Sequence, residues 1–185
     1  MLRVIILGGP GSGKGTQSNY LAQSLNLPVI STGNILRQGI ELGDELGLQA
    51  KKYVEQGELV PDRMMIEFIK RRLQNDDVTE GWILEGYPRT AFQAEELDFL
   101  LEDELGQKLD YAVYLEVIKE TMIKRSLARG ELDDRPEILE TRIELFNQRT
   151  TPILEYYQYK HSLITVSGEE TPELVSNTIY QQIKQ

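Results

Sequence analysis

Cysteine is absent from this 185-residue sequence, so disulfides and thiolate-held metal sites are excluded. Long apolar runs are missing too. The first one, Val4 to Leu7, is interrupted by Gly8, too short for a signal peptide and far below the roughly 20 residues of a membrane span. The cytoplasm is the default location. Positive charge is scarce: 20 Lys and Arg face 30 Asp and Glu, for a formal net charge of -10. Such an acidic chain is a poor partner for nucleic acid or an anionic membrane. An anionic ligand would need a local concentration of arginine, lysine and backbone N–H groups, which makes basic residues inside motifs informative. Internal repeats and low-complexity tracts are also lacking.

What is present is enough for one substantial core with small appended lids. Hydrophobic residues at 40% and charged residues at 27% are ordinary for a globular domain. Short β-branched runs read as buried parallel strands: Val4 to Leu7, Trp82 to Leu84, Tyr111 to Leu115 and Leu163 to Val166, with Pro28 to Ile30 a further short one. Helical patterns lie between them, such as Leu139, Ile143, Phe146, Ile153 and Tyr157 on one stripe, which Pro152 should kink or interrupt. Alternating strand and helix predicts right-handed βαβ units: an α/β fold with a five-stranded parallel sheet covered on both faces. Ligands of such sheets sit beyond the strands' carboxyl ends.

Two segments break the alternation. Residues 31–60 hold helical pieces broken by Gly33, Gly39, Gly43, Gly47 and Gly57, and residues 129–135 form a short charged excursion. Both read as insertions over the strand ends. The core is then 1–30, 61–128 and 136–185. Lys70-Arg71-Arg72 reads as a solvated helix face, His161 as a surface residue and Trp82 as core.

The string Gly8-Gly9-Pro10-Gly11-Ser12-Gly13-Lys14-Gly15-Thr16 directly follows a predicted strand and opens a predicted helix. In that context glycines let successive N–H groups turn inward as an anion nest, and the helix aims its positive end at the same place. Lys14 would reach the β- and γ-phosphates of a nucleotide. The hydroxyl that helps hold Mg²⁺ usually follows the lysine directly; here Gly15 intervenes and Thr16 supplies it.

The ending Gly13-Lys14-Gly15-Thr16-Gln17 resembles the nucleoside monophosphate kinases, P-loop proteins of three-layer α/β/α build. Further segments agree. Ser31-Thr32-Gly33-Asn34-Ile35-Leu36-Arg37 resembles their acceptor segment, and Gly57-Glu58-Leu59-Val60-Pro61-Asp62 the end of the acceptor lid. Glu85-Gly86-Tyr87-Pro88-Arg89, with Gln93 four residues on, resembles the element that holds the acceptor's phosphate and base. Within the family the match is to the adenylate kinases, from Leu2 to the last helix.

The resemblance implies ATP, AMP and ADP as substrates, Mg²⁺ bound with ATP, an AMP-binding insertion at 31–60, and a short lid at 129–135 without zinc. Gly11, Ser12, Gly13, Lys14, Gly15 and Thr16 would cradle ATP, Arg129 would clamp it, and the backbone carbonyl at Glu170 would touch its adenine. Arg37, and Arg89 at the end of the AMP-binding element Gly86, Tyr87, Pro88 and Arg89, would grip the AMP phosphate in planar guanidinium forks, with Arg142 also on AMP. Thr32 and Gln93 would hydrogen-bond the AMP base, with backbone from Glu58, Leu59 and Val60 lining its pocket. Arg125 and Arg142 would stabilise the transferring group. A monomer is the default.

Three positions depart from the family pattern. Glu85 stands where an aspartate orients Mg²⁺-bound waters, Asn34 replaces an aspartate, and Glu131 occupies the place of a lid arginine. Arg135, four residues later on the same excursion, is the candidate substitute. Alternatives are a UMP/CMP kinase, expected to carry alanine in place of Thr32 and a different base reader in place of Gln93, and a nucleotide-binding sensor with weakened catalysis. A GTPase is excluded by the absence of an Asn-Lys-x-Asp segment, and a small-metabolite kinase would lack the pairing of Arg37 with Arg89.

Overall fold

The sheet follows from a period-two pattern in its central strand. In β1 (Leu2–Leu7), Val4 and Ile6 face one side, Ile5 and Leu7 the other, and all four are buried. A strand buried on both faces needs a layer on each, which is how the computed structural model is built; it describes residues 1–55, 60–130 and 136–184. The sheet is five-stranded and wholly parallel, in the order β2 (Val29–Ser31), β3 (Gly81–Glu85), β1, β4 (Tyr111–Glu116), β5 (Leu163–Ser167).

One layer joins Ile5, Leu7 and Leu84 to α4 (Asp62–Leu73), α5 (Ala91–Phe99) and α7 (Pro136–Tyr159) through Phe68, Ile69, Leu97 and Tyr157. The other joins Val4, Ile6, Ile83 and Val113 to α1 (Lys14–Leu25) and α8 (Pro172–Ile183) through Leu21, Val175 and Ile179. Trp82 is fully buried, as its sequence context predicts. The chain leaves β1 for β2 on one side and β3 for β4 on the other, so the loops after β1 and β3 meet where the winding reverses, with Ile6 in register with Glu85.

Pro152 does not interrupt α7, which runs unbroken from Pro136 to Tyr159. A proline inside a helix costs about 3 kcal/mol. Ile153 and Tyr157, at 2% and 0% exposure, pack into the core just beyond it, and that burial offsets part of the cost.

The glycines of the 31–60 segment also act differently from the sequence expectation. Only Gly43, in a left-handed conformation (φ 65°), ends a described helix, α2 (Thr32–Leu42), ahead of α3 (Glu45–Glu55). Gly39 and Gly47 lie inside α2 and α3, facing one another. A Cβ on Gly47 would stand 1.9 Å from the Gly39 carbonyl oxygen, so the pair permits close helix contact. Gly57 lies outside the described residues.

Lys70, Arg71 and Arg72 form ion pairs with Glu104, Asp44 and Asp77, respectively, of which Arg71–Asp44 spans 3.0 Å. Exposed pairs of this kind contribute little stability. His161 is exposed, at the turn before β5.

Candidate active site

The loop between β1 and α1 is shaped by what it must pass. Gly11 has φ 70°, and a Cβ there would lie 2.4 Å from the backbone oxygen of Met122, so only glycine fits. Met122 belongs to α6 (Lys119–Arg129), which with Phe146 of α7 floors the loop beneath Gly9. Gly13 caps α1, which has no side-chain cap, and the Ser12 hydroxyl is buried without a partner among the described residues. Both features leave donors aimed into the loop. Gly15 and Thr16 are exposed on the first turn of α1 or just inside it.

Lys14 folds back over this loop, donating from Nζ to the carbonyl oxygens of Gly8 and Gly9, each at 2.8 Å. Burial first, and then the Arg89 charge, push its ammonium down to about 8. Arg142 and Arg129 act in the same direction, and Glu85 opposes them. Arg89 is itself lowered from the usual arginine range by burial, then by Arg142 and Arg149. Four arginines and a lysine, from the β3 loop, α6, α7 and the start of α1, therefore converge beside the Glu85 carboxylate, and their combined charge favours an anionic ligand.

The β3 end supplies the other wall. Ser18 Oγ donates to Glu85 Oε2 at 3.3 Å, and that same oxygen lies 3.5 Å from where a Gly15 Cβ would be, so the carboxylate stands over the start of α1. Thr32 Oγ1 donates to the Glu85 carbonyl at 3.4 Å. Arg89 Nε donates to the Gly86 carbonyl at 2.8 Å, and its backbone N–H donates to Gln93 Oε1 at 2.6 Å. Gln93 Nε2 donates to Asp62 Oδ1 at 2.6 Å, while Thr90 caps α5 by accepting from the Gln93 N–H. Thr32 and Gln93 are both buried. Tyr87, 2% exposed, packs into the core, so that segment offers the site backbone rather than a phenol.

Arg125 is one helical turn from Arg129, but its guanidinium goes elsewhere. It donates to the carbonyl oxygens of Gly168 at 2.7 Å and Glu169 at 3.5 Å, in the turn after β5 that includes Glu170. Glu169 accepts from Ile118 N–H and Thr121 Oγ1, both at 2.8 Å, which hold its carboxyl below the usual range. That turn is thus tied to α6. Arg37 is exposed and donates to Asn34 Oδ1. Val60 packs with the core cluster of α4. Glu58, Leu59, Glu131 and Arg135 lie outside the described residues.

Arg149 is the charged group that the sequence reading missed. It follows Arg142 by seven residues, two turns along α7, and so shares its face. Asp62 was also missed as a partner of Gln93. The spacing of Arg142 and Arg149 was visible in the sequence; the contact between Asp62 and Gln93 was not.

The family model described as "Adenylate kinase" matches residues 6–162. "Adenylate kinase 2" of Nostoc sp. is 57% identical over 178 residues, covering 96% of this chain and 96% of the relative. "Adenylate kinase 2" of Synechocystis sp. is 56% identical over 182 residues, covering 98% and 100%. "Adenylate kinase" of Bifidobacterium longum is 41% identical over 187 residues, covering 99% and 100%. With the phosphate loop at the winding reversal and the cations gathered over it, the chain belongs to the adenylate kinase family and is an ATP:AMP phosphotransferase.

Proposed function

We propose that the family's reaction, reversible transfer of the terminal phosphoryl group of ATP to AMP giving two ADP, is carried here by Lys14, Arg89, Arg129 and Arg142. The observation behind this is their convergence on the loop after β1. Phosphoryl transfer asks for positioning and charge neutralisation more than covalent chemistry. Lys14, released from the Gly8 and Gly9 carbonyls, pairs with the β- and γ-phosphates, and Gly11 to Thr16 donate backbone N–H groups to the same oxygens. Arg89 and Arg37 hold the AMP phosphate in line with the γ-phosphate, and Arg142 spreads the charge that develops between them. Arg129 clamps ATP, and Arg125 fixes the turn whose carbonyl at Glu170 meets the ATP base.

Mg²⁺ arriving with ATP would be held through the Thr16 hydroxyl and, across water, the Glu85 carboxylate, and would neutralise phosphate charge. Both are hard oxygen donors, and the carboxylate stands over α1 where such an ion would sit.

Thr32, Gln93 and backbone from Glu58, Leu59 and Val60 form the AMP base pocket. Residues 31–60 act as the AMP-binding insertion and 129–135 as the lid that excludes water. We place the enzyme in the cytoplasm as a monomer acting on ATP, AMP and ADP, without nucleic acid or membrane.

A coupled assay with ATP and each nucleoside monophosphate tests the reading. AMP should exceed CMP and UMP in kcat/KM by at least about tenfold, because a wrong base leaves buried polar groups unpaired. Comparable values for AMP, CMP and UMP would overturn it.

A further inference from the structure

We propose that Asp62 sets the enzyme's discrimination between 6-amino and 6-oxo purine acceptors, by locking the side-chain amide of Gln93 in one orientation. The inference rests on the reading that Gln93 meets the acceptor base.

The lock has two ends. At one, the Arg89 backbone N–H donates to Gln93 Oε1 at 2.6 Å; at the other, Gln93 Nε2 donates to Asp62 Oδ1 at 2.6 Å. A backbone N–H can only donate, and an ionised carboxylate can only accept. Reversing the amide would set NH₂ against N–H at Arg89 and carbonyl oxygen against carboxylate at Asp62. Both ends oppose it, and Gln93 is only 6% exposed, so water does not replace the lost partners.

The locked amide keeps one N–H and one oxygen lone pair for a ligand. A 6-aminopurine presents a ring-nitrogen acceptor beside an exocyclic N–H donor, which this pair matches. A 6-oxopurine presents a ring N–H beside an oxygen and would match only the reversed amide. A free glutamine could serve either base by turning over; this one has no such choice. Asp62 is therefore a positioning residue that acts through Gln93. It is well placed for this because it opens α4 while Gln93 sits in the first turn of α5, so the bond spans two packed helices.

The test compares AMP with IMP and GMP as acceptors at saturating ATP. Asp62→Asn keeps the shape but accepts either amide orientation, which removes one end of the lock. The ratio of kcat/KM for AMP to that for IMP should fall at least about tenfold, mainly through the acceptor KM, with no matching change in the KM for ATP. Asp62→Ser should do the same, and Asp62→Glu, which keeps an acceptor-only group, should restore most of the ratio. If Asp62→Asn does not fold, Asp62→Ser and Asp62→Glu carry the comparison. A purely structural role would lower all acceptors together, and a ratio within about twofold of wild type would overturn the proposal. Gln93→Ala separates the two layers. If it leaves the ratio intact, Gln93 does not read the base and the underlying reading fails. If it collapses the ratio while the Asp62 variants keep it, the lock alone fails.

Discussion

The backbone N–H of Arg89 donates to the side-chain oxygen of Gln93 at 2.6 Å, so the residue assigned to the acceptor's phosphate and the one assigned to its base are held in a single turn. On that assignment the bond would keep phosphate and base recognition at a fixed spacing, and such preorganisation lowers the entropic cost of binding.

Arg89→Ala should cripple turnover while leaving the fold intact. Losing a charge-assisted phosphate contact in the transition state costs at least about 3 kcal/mol, a drop of roughly 10² or more in kcat/KM for AMP. The melting temperature of the ligand-free protein should not fall in parallel, because the deletion also relieves repulsion from Arg142 and Arg149. A variant with near wild-type kcat/KM would refute the assignment.

The state of Lys14 predicts a pH dependence. Its ammonium titrates near 8 in the free protein, and phosphate oxygens favour the charged form, so ATP binding should take up protons as pH rises through that value. kcat/KM for ATP should decline above pH 8, while kcat at saturating ATP holds to higher pH. The sign for stability is opposite to that of a stabilising ion pair. Between 8 and the unfolded value of 10.5 the unfolded chain binds more protons, so this group makes the free fold more stable as pH increases across that window. Calorimetry in buffers of different ionisation enthalpy would measure the proton uptake; none at pH 8–9 would contradict the prediction.

Gly47→Ala and Gly39→Ala should differ. A Cβ at 47 meets backbone, the Gly39 carbonyl oxygen at 1.9 Å, whereas a Cβ at 39 meets the Phe68 ring edge at 2.7 Å, and a ring can shift. Gly47→Ala should cost about 1–3 kcal/mol and lower the melting temperature by roughly 3–10 °C, with Gly39→Ala the milder. Because α2 carries Thr32 and Arg37, Gly47→Ala should also raise the KM for AMP more than that for ATP. Equal thermal shifts for both variants would argue against the backbone contact.

Arg135 is proposed to replace the arginine missing at Glu131. Arg135→Ala should reduce kcat at least about tenfold, whereas Glu131→Arg should leave kcat unchanged or raise it. A silent Arg135→Ala together with a much faster Glu131→Arg would mean that the lid arginine is lost without replacement.

Much of this was legible in the sequence. Strands buried on both faces are short β-branched runs, so the sheet and the phosphate loop after Leu7 could be placed from composition and order alone. The misreadings share a cause. Gly39 and Gly47 looked like helix breakers, and Pro152 like a kink or an interruption, because local propensity says so; tertiary packing keeps all three inside helices. The resemblance gave Arg125 a role at the transferring group, but no sequence signal announced its bonds to the carbonyls of Gly168 and Glu169. Asp62 and Gln93 are separated by 31 positions, and nothing local joins them.

The gathering of cations over the phosphate loop also bears on the protein's thermal behaviour. Lys14 and Arg89 feel the like charges of neighbouring arginines, and an anion bound there would be attracted by all of them. Ligand affinity and conformational stability are thus one linked equilibrium: free energy gained at the site by a bound anion appears in full as resistance to unfolding, as RT ln(1 + [L]/Kd). Inorganic phosphate or sulfate in a storage buffer would stabilise the fold to the extent that it binds at the loop after β1.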